Sequence, residues 1–481
     1  MSNPSKSNVR SAQIVMRVRA GWKSVTSATR AILTVAIVGL LLATPRVIAQ
    51  RPTNVLLVVA DDLGYGELGC YGQEKIATPR IDALAKAGVR MTRAWSGAPV
   101  CAPSRCVMFT GKHTGHAAIR DNGEVRPEGQ TPLPERTPNL FSAMRSSGRA
   151  TACIGKWGLG PPGSSGDPLA IGVDRFYGYN CQRHAHSHEP DWLWNDRTKA
   201  EVKGSYAPTL MTREAVAFIE TKKDVPWFLA FTSALPHLAL QIPEDELKAY
   251  AGKFPETPYD GKSGYRPHAT PKAAYAAMIT HLDTSVGRLV DALKATGQLE
   301  RTLIVFTSDN GTTHSAGVDA GYFKSTAGLR GLKGSAYEGG IRVPLILHHA
   351  ATLPAGRVVD APCAAYDLWP TIAAAVGLDR PVGTDGVDLG PVLRGESPAP
   401  ARSLYMEFPG YGGWQTAVEG KWKIVRKNLK KQPNASFELY DLDADPSESV
   451  DVAGAHPETV KRLAAFAASA RTPSPNPAWN W

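Results

Sequence analysis

Long apolar runs are scarce in this sequence of 481 residues, and its first 50 residues contain no acid. Those 50 residues carry seven lysines and arginines and lead into 13 apolar residues, 31–43. As a helix, that run would span about 20 Å, less than the ~30 Å hydrocarbon core of a bilayer. No later run approaches the length of a membrane-spanning helix, which predicts no stable membrane embedding for the rest of the chain.

A basic start followed by a short apolar run is typical of a secretory signal peptide. Val47 and Ala49 are small residues at the −3 and −1 positions of a cleavage site, so we expect cleavage near Ala49–Gln50 and a signal peptide over residues 1–49. The alternative is an uncleaved anchor. Either way the chain is expected to be exported, to the periplasm or the cell exterior.

The chain also lacks excess charge once the predicted signal peptide, here called the leader, is set aside. The net charge of the whole chain is +10, and without the seven basic residues of the leader it is +3. A nearly neutral body gives no reason to expect nucleic acid as a partner.

Cysteine is rare, with six residues in the chain, which excludes a disulfide scaffold. Cys101 nevertheless stands at a notable place, because Pro103 and Gly111 predict a short helix that begins near it. A helix N-terminus favours anions. Three explanations are open: a disulfide, a nucleophile, or a zinc site whose spacing fits no common finger. That zinc site would use Cys101, Cys106, His113 and His116.

Short β-branched runs alternate with helical patterns, which predicts an α/β fold with a large, mixed and mainly parallel sheet sandwiched by helices. The predicted strands run into polar residues: Asp61 and Asp62, Lys156, His237, Asp309 and Asn310, and His348 and His349. In open α/β sheets, ligands bind beyond the carboxyl ends of the strands. The oxygen-rich set Asp61, Asp62, Asp309 and Asn310 suits a hard divalent cation such as Ca²⁺.

The sequence pattern changes near Leu389, where the alternation of strands and helices ends. A Pro-rich linker is followed by three strand-like segments, the middle one a hairpin turning at Glu419–Gly420, and then by a helix. The prediction is a catalytic domain over residues 50–390 and a smaller C-terminal α+β domain with an antiparallel sheet over residues 391–481.

The segment from Cys101 to Gly111 follows the pattern C-x-P-x-R-x4-T-G and resembles the signature of the type I sulfatases. Other family blocks occur in order along roughly residues 52–450. They read VVADDLGYGELGCYG, GKWGLG, PHLAL, TSDNG, GLKGSAYEGGIRVP and ELYDLDADPSE. The resemblance implies an alkaline-phosphatase-like fold and a sulfuric ester hydrolase acting on carbohydrate or aryl sulfates.

The resemblance also implies a role for each matching residue. Cys101 would be oxidised to Cα-formylglycine by a formylglycine-generating or sulfatase-maturating enzyme, and the hydrated aldehyde would attack sulfur as a gem-diol. The Ca²⁺ ligands would be Asp61, Asp62, Asp309, Asn310 and the modified Cys101. Arg105, Lys156 and Lys333 would stabilise charge on the sulfate oxygens, and His237 and Lys333 would assist the leaving oxygen.

One position departs from the family. Members often read G-K-W-H-L-G, where the histidine helps to release sulfate, and this chain has Gly158 there. Either that role is lost or another group fills it. The H-A-H segment of His184 and His186 offers substrate-binding imidazoles, beside a third histidine and two tryptophans, and His186 is the candidate to take over the role of the absent histidine. The alternative is a surface histidine cluster.

Two other functions compete with sulfate ester hydrolysis. A phosphodiesterase or phosphonate monoester hydrolase would share the fold, and a non-catalytic glycan-binding relative would show an eroded site.

Overall fold

A ten-stranded sheet lies at the centre of the computed structural model, which describes residues 54–481. The predicted signal peptide lies outside the described residues. A two-stranded pair and a separate four-stranded sheet complete the β-structure. The strands are β1 (Asn54–Asp61), β2 (Val89–Met91), β3 (Ala94–Trp95), β4 (Ala150–Lys156), β5 (Arg175–Tyr179), β6 (Trp192–Asn195), β7 (Thr198–Glu201), β8 (Trp227–Pro236), β9 (Thr302–Ser308), β10 (Leu345–His348), β11 (Arg357–Val359), β12 (Cys363–Ala364), β13 (Ser403–Phe408), β14 (Trp414–Glu419), β15 (Trp422–Lys427) and β16 (Glu438–Asp441).

Helices connect the strands and cover the sheet. They are α1 (Pro79–Ala87), α2 (Cys101–Thr110), α3 (Leu140–Ser146), α4 (Ala207–Thr221), α5 (Glu244–Leu247), α6 (Pro271–Ala295), α7 (Glu338–Ile341), α8 (Leu368–Ala375), α9 (Gly390–Arg394) and α10 (Pro457–Ser469).

The order of strands in the main sheet is β11-β2-β10-β9-β1-β8-β4-β5-β6-β7. The five central strands, from β9 to β5, are parallel to one another. Antiparallel strands flank them on both sides. The predicted fold class, a mixed and mainly parallel sheet between helices, is therefore confirmed.

Both faces of the sheet are buried, as the continuous apolar sequence of β1 requires. Val55, Leu57 and Val59 point into one hydrophobic core, which they share with α2, α3 and α8. Leu56 and Val58 point into a second core, formed with α1, α4 and α6. Successive side chains of a strand point to opposite faces, so a single run of β1 anchors both helical layers.

The direction of β10 differs from that of its neighbour β9. Because β10 is antiparallel, His348 pairs with Ile304 near the start of β9 rather than with residues at its end. The side chain of the next residue, His349, contacts Thr352 through Nδ1. His348 and His349 therefore lie away from the functional edge, to which β1, β4, β8 and β9 run.

The four-stranded sheet, in the order β13-β14-β15-β16, is antiparallel throughout. The hairpin between β14 and β15 turns at Gly420–Lys421, one residue later than predicted, because Glu419 still pairs with Trp422. One face of this sheet joins the first hydrophobic core through Leu404, Met406 and Val425. The other face packs against α10 through Leu463 and Ala467.

Among residues 54–481, no helix is both long enough and apolar enough to cross a membrane. The division into a catalytic and a C-terminal domain near residue 390 stays a prediction.

Candidate active site

Three carboxylates and one amide meet where β1 and β9 end. Asp61 closes β1 and Asp62 follows it, while Asp309 and Asn310 directly follow β9. Because the two strands are parallel neighbours, their carboxyl ends lie side by side. The Nδ2 of Asn310 donates to Oδ1 of Asp62 at 2.7 Å, and the backbone N–H of Asp62 donates to Oδ1 of Asp309 at 3.2 Å. All four side chains are buried, as the strand-end argument predicts.

Three cations neutralise these carboxylates. Arg105, on α2, donates to Oδ2 of Asp309 at 2.8 Å. Lys156, the last residue of β4, forms an ion pair with Asp61. Lys333 lies 2.6 Å from Oδ1 of Asp62.

Cys101 lies among these charges, because it is the first residue of α2. Its Sγ lies 3.5 Å from Oδ1 of Asp61, 3.5 Å from Nζ of Lys156 and 3.6 Å from Nζ of Lys333. Burial, reinforced by Asp61, raises the pKa of the Cys101 thiol to about 12. An unmodified thiol would therefore stay protonated at neutral pH and would be a weak nucleophile.

The surroundings of Asp61 and Asp309 shift the pKa values of these two carboxyls in opposite directions. Burial, together with the charge of Asp61, raises the pKa of Asp309 to about 7. Burial acts in the same direction on Asp61, but four neighbouring basic groups, led by Lys156, overcome it and hold its pKa far below the usual range. Asp61 is therefore ionised at neutral pH, whereas Asp309 is near the midpoint of its titration.

Two neutral imidazoles, His237 and His186, lie next to the carboxylates. His237, which follows β8, has its Nε2 3.7 Å from Oδ2 of Asp62. Its ring stacks on His186, with the ring centroids 5.1 Å apart. Burial, aided by Lys156 and Lys333, lowers the pKa of His237 well below its ordinary value and that of His186 to about 4.

A cavity of about 240 Å³ opens onto these residues. The predicted residues that line it are Cys101, Lys156, His186, His237 and Lys333. The other residues that line the cavity were not predicted from the sequence, because none of them is a charged or metal-binding residue of a recognised motif. These are Val100, Asn122, Gln182, Tyr265, Thr313, His314, Ser315 and Tyr411.

The histidines of the H-A-H segment separate because residues 184–186 form a single 3₁₀ turn. His186 reaches the cavity, whereas the ring of His184 packs against Trp192, with centroids 4.1 Å apart, and against Tyr179. The buried His188 lies close by, with its Nε2 2.8 Å from the backbone oxygen of His237.

The residues of the alternative zinc site do not assemble. Cys106 is buried in the hydrophobic core, on the same helix as Cys101. His113 and His116 lie instead against Asp385, with Nδ1 of His116 2.9 Å from Oδ1 of Asp385. All six cysteines, all of them within the described residues, are free.

The residues at the ends of β1 and β9 suit a metal ion. Asp61, Asp62, Cys101 and His237 each offer a ligand atom, and these atoms lie within 4.8 Å of one another. The predicted ligand Asp309 lies outside this group, paired with Arg105, whereas His237 was not predicted as a ligand. The buried Oδ1 of Asn310 has no hydrogen-bond partner. Oxygen donors from carboxylates and an amide are what Ca²⁺ and Mg²⁺ prefer.

Comparison with known proteins agrees with this arrangement. The family model described as Sulfatase matches residues 53–378, about two thirds of the chain. The chain belongs to the sulfatase family. It hydrolyses sulfate esters. A second family model, described as N-sulphoglucosamine sulphohydrolase, C-terminal, matches residues 332–465.

Individual relatives extend over most of this sulfatase. It is 30% identical to arylsulfatase A of Homo sapiens over 453 residues, which cover 86% of each chain. The crystal structure of Ps i-CgsB in complex with k-i-k-neocarrahexaose is similar, with 26% identity and a TM-score of 0.76 over 88% of this chain and 94% of that one. The fold is the alkaline-phosphatase-like fold that these enzymes share.

Proposed function

We propose that this sulfatase cleaves sulfate monoesters of carbohydrates or aryl alcohols, with a formylglycine made from Cys101 and with a bound Ca²⁺. The formylglycine would supply a geminal diol that attacks sulfur, and the Ca²⁺ would lower the pKa of a diol hydroxyl and polarise the sulfate. A formylglycine-generating or sulfatase-maturating enzyme would oxidise the Cys101 thiol to the aldehyde.

The chain's own residues would bind the anion and the metal. Asp61, Asp62, Asp309, Asn310 and the modified Cys101 would hold Ca²⁺, for which their oxygens are suited. Lys156 and Lys333, which line the cavity, would stabilise charge on the sulfate oxygens. Arg105 was predicted to do the same, but it is fully buried against Asp309 and would hold that carboxylate in place instead. His237 and Lys333 lie at the cavity, where either can assist the departing oxygen, and His186 can contact the substrate. His184, packed on Trp192, would contribute to the wall behind it.

The observation that carries this proposal is the environment of Cys101. One buried cysteine at a helix N-terminus lies within 3.6 Å of an aspartate and two lysines. A structural cysteine has no need of such neighbours, whereas a sulfate-binding nucleophile requires cations around it.

Peptide mass spectrometry across residue 101, on protein from a host with a maturation system, tests the proposal directly. We expect an aldehyde in place of the thiol. Cys101→Ala should lose essentially all turnover of sulfate esters and remain folded. Cys106→Ala is the matched control, because Cys106 lies in the same helix but faces the apolar core, and it should keep its turnover. An active Cys101→Ala enzyme would end the proposal.

A second candidate activity is the hydrolysis of phosphonate or phosphate esters at the same site. The structure of the phosphonate monoester hydrolase of Agrobacterium radiobacter is similar in fold, with 24% identity and a TM-score of 0.64. Matched sulfate and phosphonate esters of one alcohol, assayed side by side, distinguish the two. We expect the larger kcat/KM for the sulfate.

A further inference from the structure

Gln182 is a buried glutamine whose side-chain amide has no hydrogen-bond partner. The residue is 6% exposed, and neither its Oε1 nor its Nε2 has a partner within the described part of the chain. Only its backbone N–H is paired, with Oε1 of Gln130 at 3.1 Å. Buried amides are nearly always paired, so an unpaired one that borders a cavity indicates a partner that arrives with a ligand.

The position of this amide follows from the backbone. Beyond the ends of β4 and β5, Trp157 N–H donates to the carbonyl of Tyr179, and Gly158 N–H donates to that of Asn180. This extension brings Gln182 beside Gly158. A Cβ on residue 158 would lie 1.9 Å from Nε2 of Gln182, so the amide fills the space that a side chain at position 158 would need.

The amide borders the same cavity as the cationic groups. Gln182 lines it together with Cys101, Lys156, His237 and Lys333. A cavity lined by lysines accepts an anion, and an amide N–H is a neutral donor suited to an anionic oxygen. The two ends of the amide exchange by rotation about its last torsion, so Nε2 can face either Gly158 or the cavity.

We infer that Gln182 binds the sulfate group of the substrate by donating a hydrogen bond from its side-chain amide to a sulfate oxygen. This inference rests on the proposed function, because it assumes that the sulfate occupies the cavity beside Cys101. It assigns to Gln182 the contact that residue 158, as a glycine, cannot make.

The test is calorimetric titration of inorganic sulfate into the full-length Cys101→Ala protein, in the presence of Ca²⁺. This readout needs neither the formylglycine nor turnover. Adding Gln182→Met, which keeps the length of the side chain and removes its donors, should weaken sulfate binding about tenfold or more. Gln182→Glu, whose carboxylate repels the anion, should weaken it further.

Thermal stability separates this role from a structural one. Replacing an unpaired buried amide by an apolar group of the same shape removes a desolvation penalty, so Gln182→Met should melt at the same or a higher temperature. Gln298→Met is the matched control, because Gln298 is a buried glutamine that pairs with Asn54, Trp227 and Ile219. It should lower the melting temperature and leave sulfate affinity unchanged.

Several results would overturn the inference. One is unchanged sulfate affinity in Gln182→Met, whatever its stability. Another is the absence of sulfate binding by the Cys101→Ala parent. Failure of the proposed function has a different signature, since the formylglycine-bearing enzyme would then turn over no sulfate ester while the sulfate titration still responded to Gln182.

Discussion

Asp309 is a proposed ligand of the metal site. Its carboxylate joins the end of β9 to Arg105 and to the backbone of Asp62. We expect Asp309→Ala to weaken Ca²⁺ binding and activity together, each by tenfold or more, because it removes a proposed ligand and leaves Arg105 with Asp61, 3.7 Å away, as its nearest carboxylate. Calorimetry with Ca²⁺ and steady-state kinetics measure the two effects.

Asp385→Ala is the matched control for that variant, because Asp385 contacts His113 and His116 rather than any of the proposed Ca²⁺ ligands. It should leave Ca²⁺ affinity unchanged. Chelator-treated wild-type enzyme should recover best with Ca²⁺, as its oxygen ligands require. Recovery with Zn²⁺ alone would contradict the assignment of an oxygen-ligand site.

His186 should contribute to substrate binding. It stacks on His237 at the cavity. Its lowered pKa keeps the imidazole neutral, so it can form a hydrogen bond with a hydroxyl of the substrate without repelling Lys156 and Lys333. We expect His186→Ala to raise KM about tenfold with little change in kcat and with no burst of released alcohol. Pre-steady-state kinetics with mass detection of the enzyme measures all three.

His184→Ala serves as the comparison, because His184 packs on Trp192 outside the cavity. Its KM should stay near that of the wild type. A burst with accumulation of sulfated enzyme in His186→Ala would show instead that His186 helps to release sulfate. A wild-type KM would remove His186 from the site.

At the scale of elements, β15 attaches the four-stranded sheet to α7 through a buried lysine. Lys423 lies 2.8 Å from Oε1 of Glu338 and 2.9 Å from Oε1 of Glu448, and all three side chains are buried. Lys423→Met leaves the buried Glu448 without its cation, while Glu338 keeps Arg342, so we expect it to lower the free energy of unfolding by about 3–5 kcal/mol. Urea unfolding measures this loss.

Lys421→Met provides the contrast. Its partner Asp441 lies on the surface, and a surface ion pair is worth at most about 1 kcal/mol. Similar losses in the two variants would mean that the buried lysine does not hold the sheet in place.

The elements also show how far the sequence leads. Asp61, Asp309, Lys156 and His237 could be brought together from the sequence, because parallel strands share one functional edge. The direction of β10 could not be predicted, since an apolar run carries no sign of its orientation. Gln182 was missed for a similar reason. Its proximity to Gly158 depends on backbone pairing beyond the strand ends, and no side-chain pattern encodes that pairing.

At the scale of the whole molecule, one buried acid should make stability depend on pH. Glu67 accepts hydrogen bonds from Gly64 and Tyr275, and burial raises its pKa to about 7 from an ordinary 4.5. The folded state therefore holds this proton more tightly than the unfolded chain. Its contribution to stability is full below about pH 4.5 and is lost as the pH rises to about 7.

Glu67→Gln should remove that dependence. Relative to the wild type, the variant should gain stability between pH 5 and pH 8, by an amount of the order of 3 kcal/mol. Urea unfolding at both pH values measures the change, and the exposed Glu74→Gln is the control. Parallel pH profiles for Glu67→Gln and the wild type would contradict the prediction.

The course of β1 has a practical consequence. The strand begins at Asn54, beside Gln298 and Trp227, and ends seven residues later at Asp61, which contacts Cys101 and Lys156. At about 3.3 Å per residue, the two ends are roughly 23 Å apart. A resin or sensor surface coupled at the end of the sheet where β1 begins would therefore hold the enzyme by the side opposite Asp61. Immobilised in this way, it should still admit substrates as large as polysaccharides.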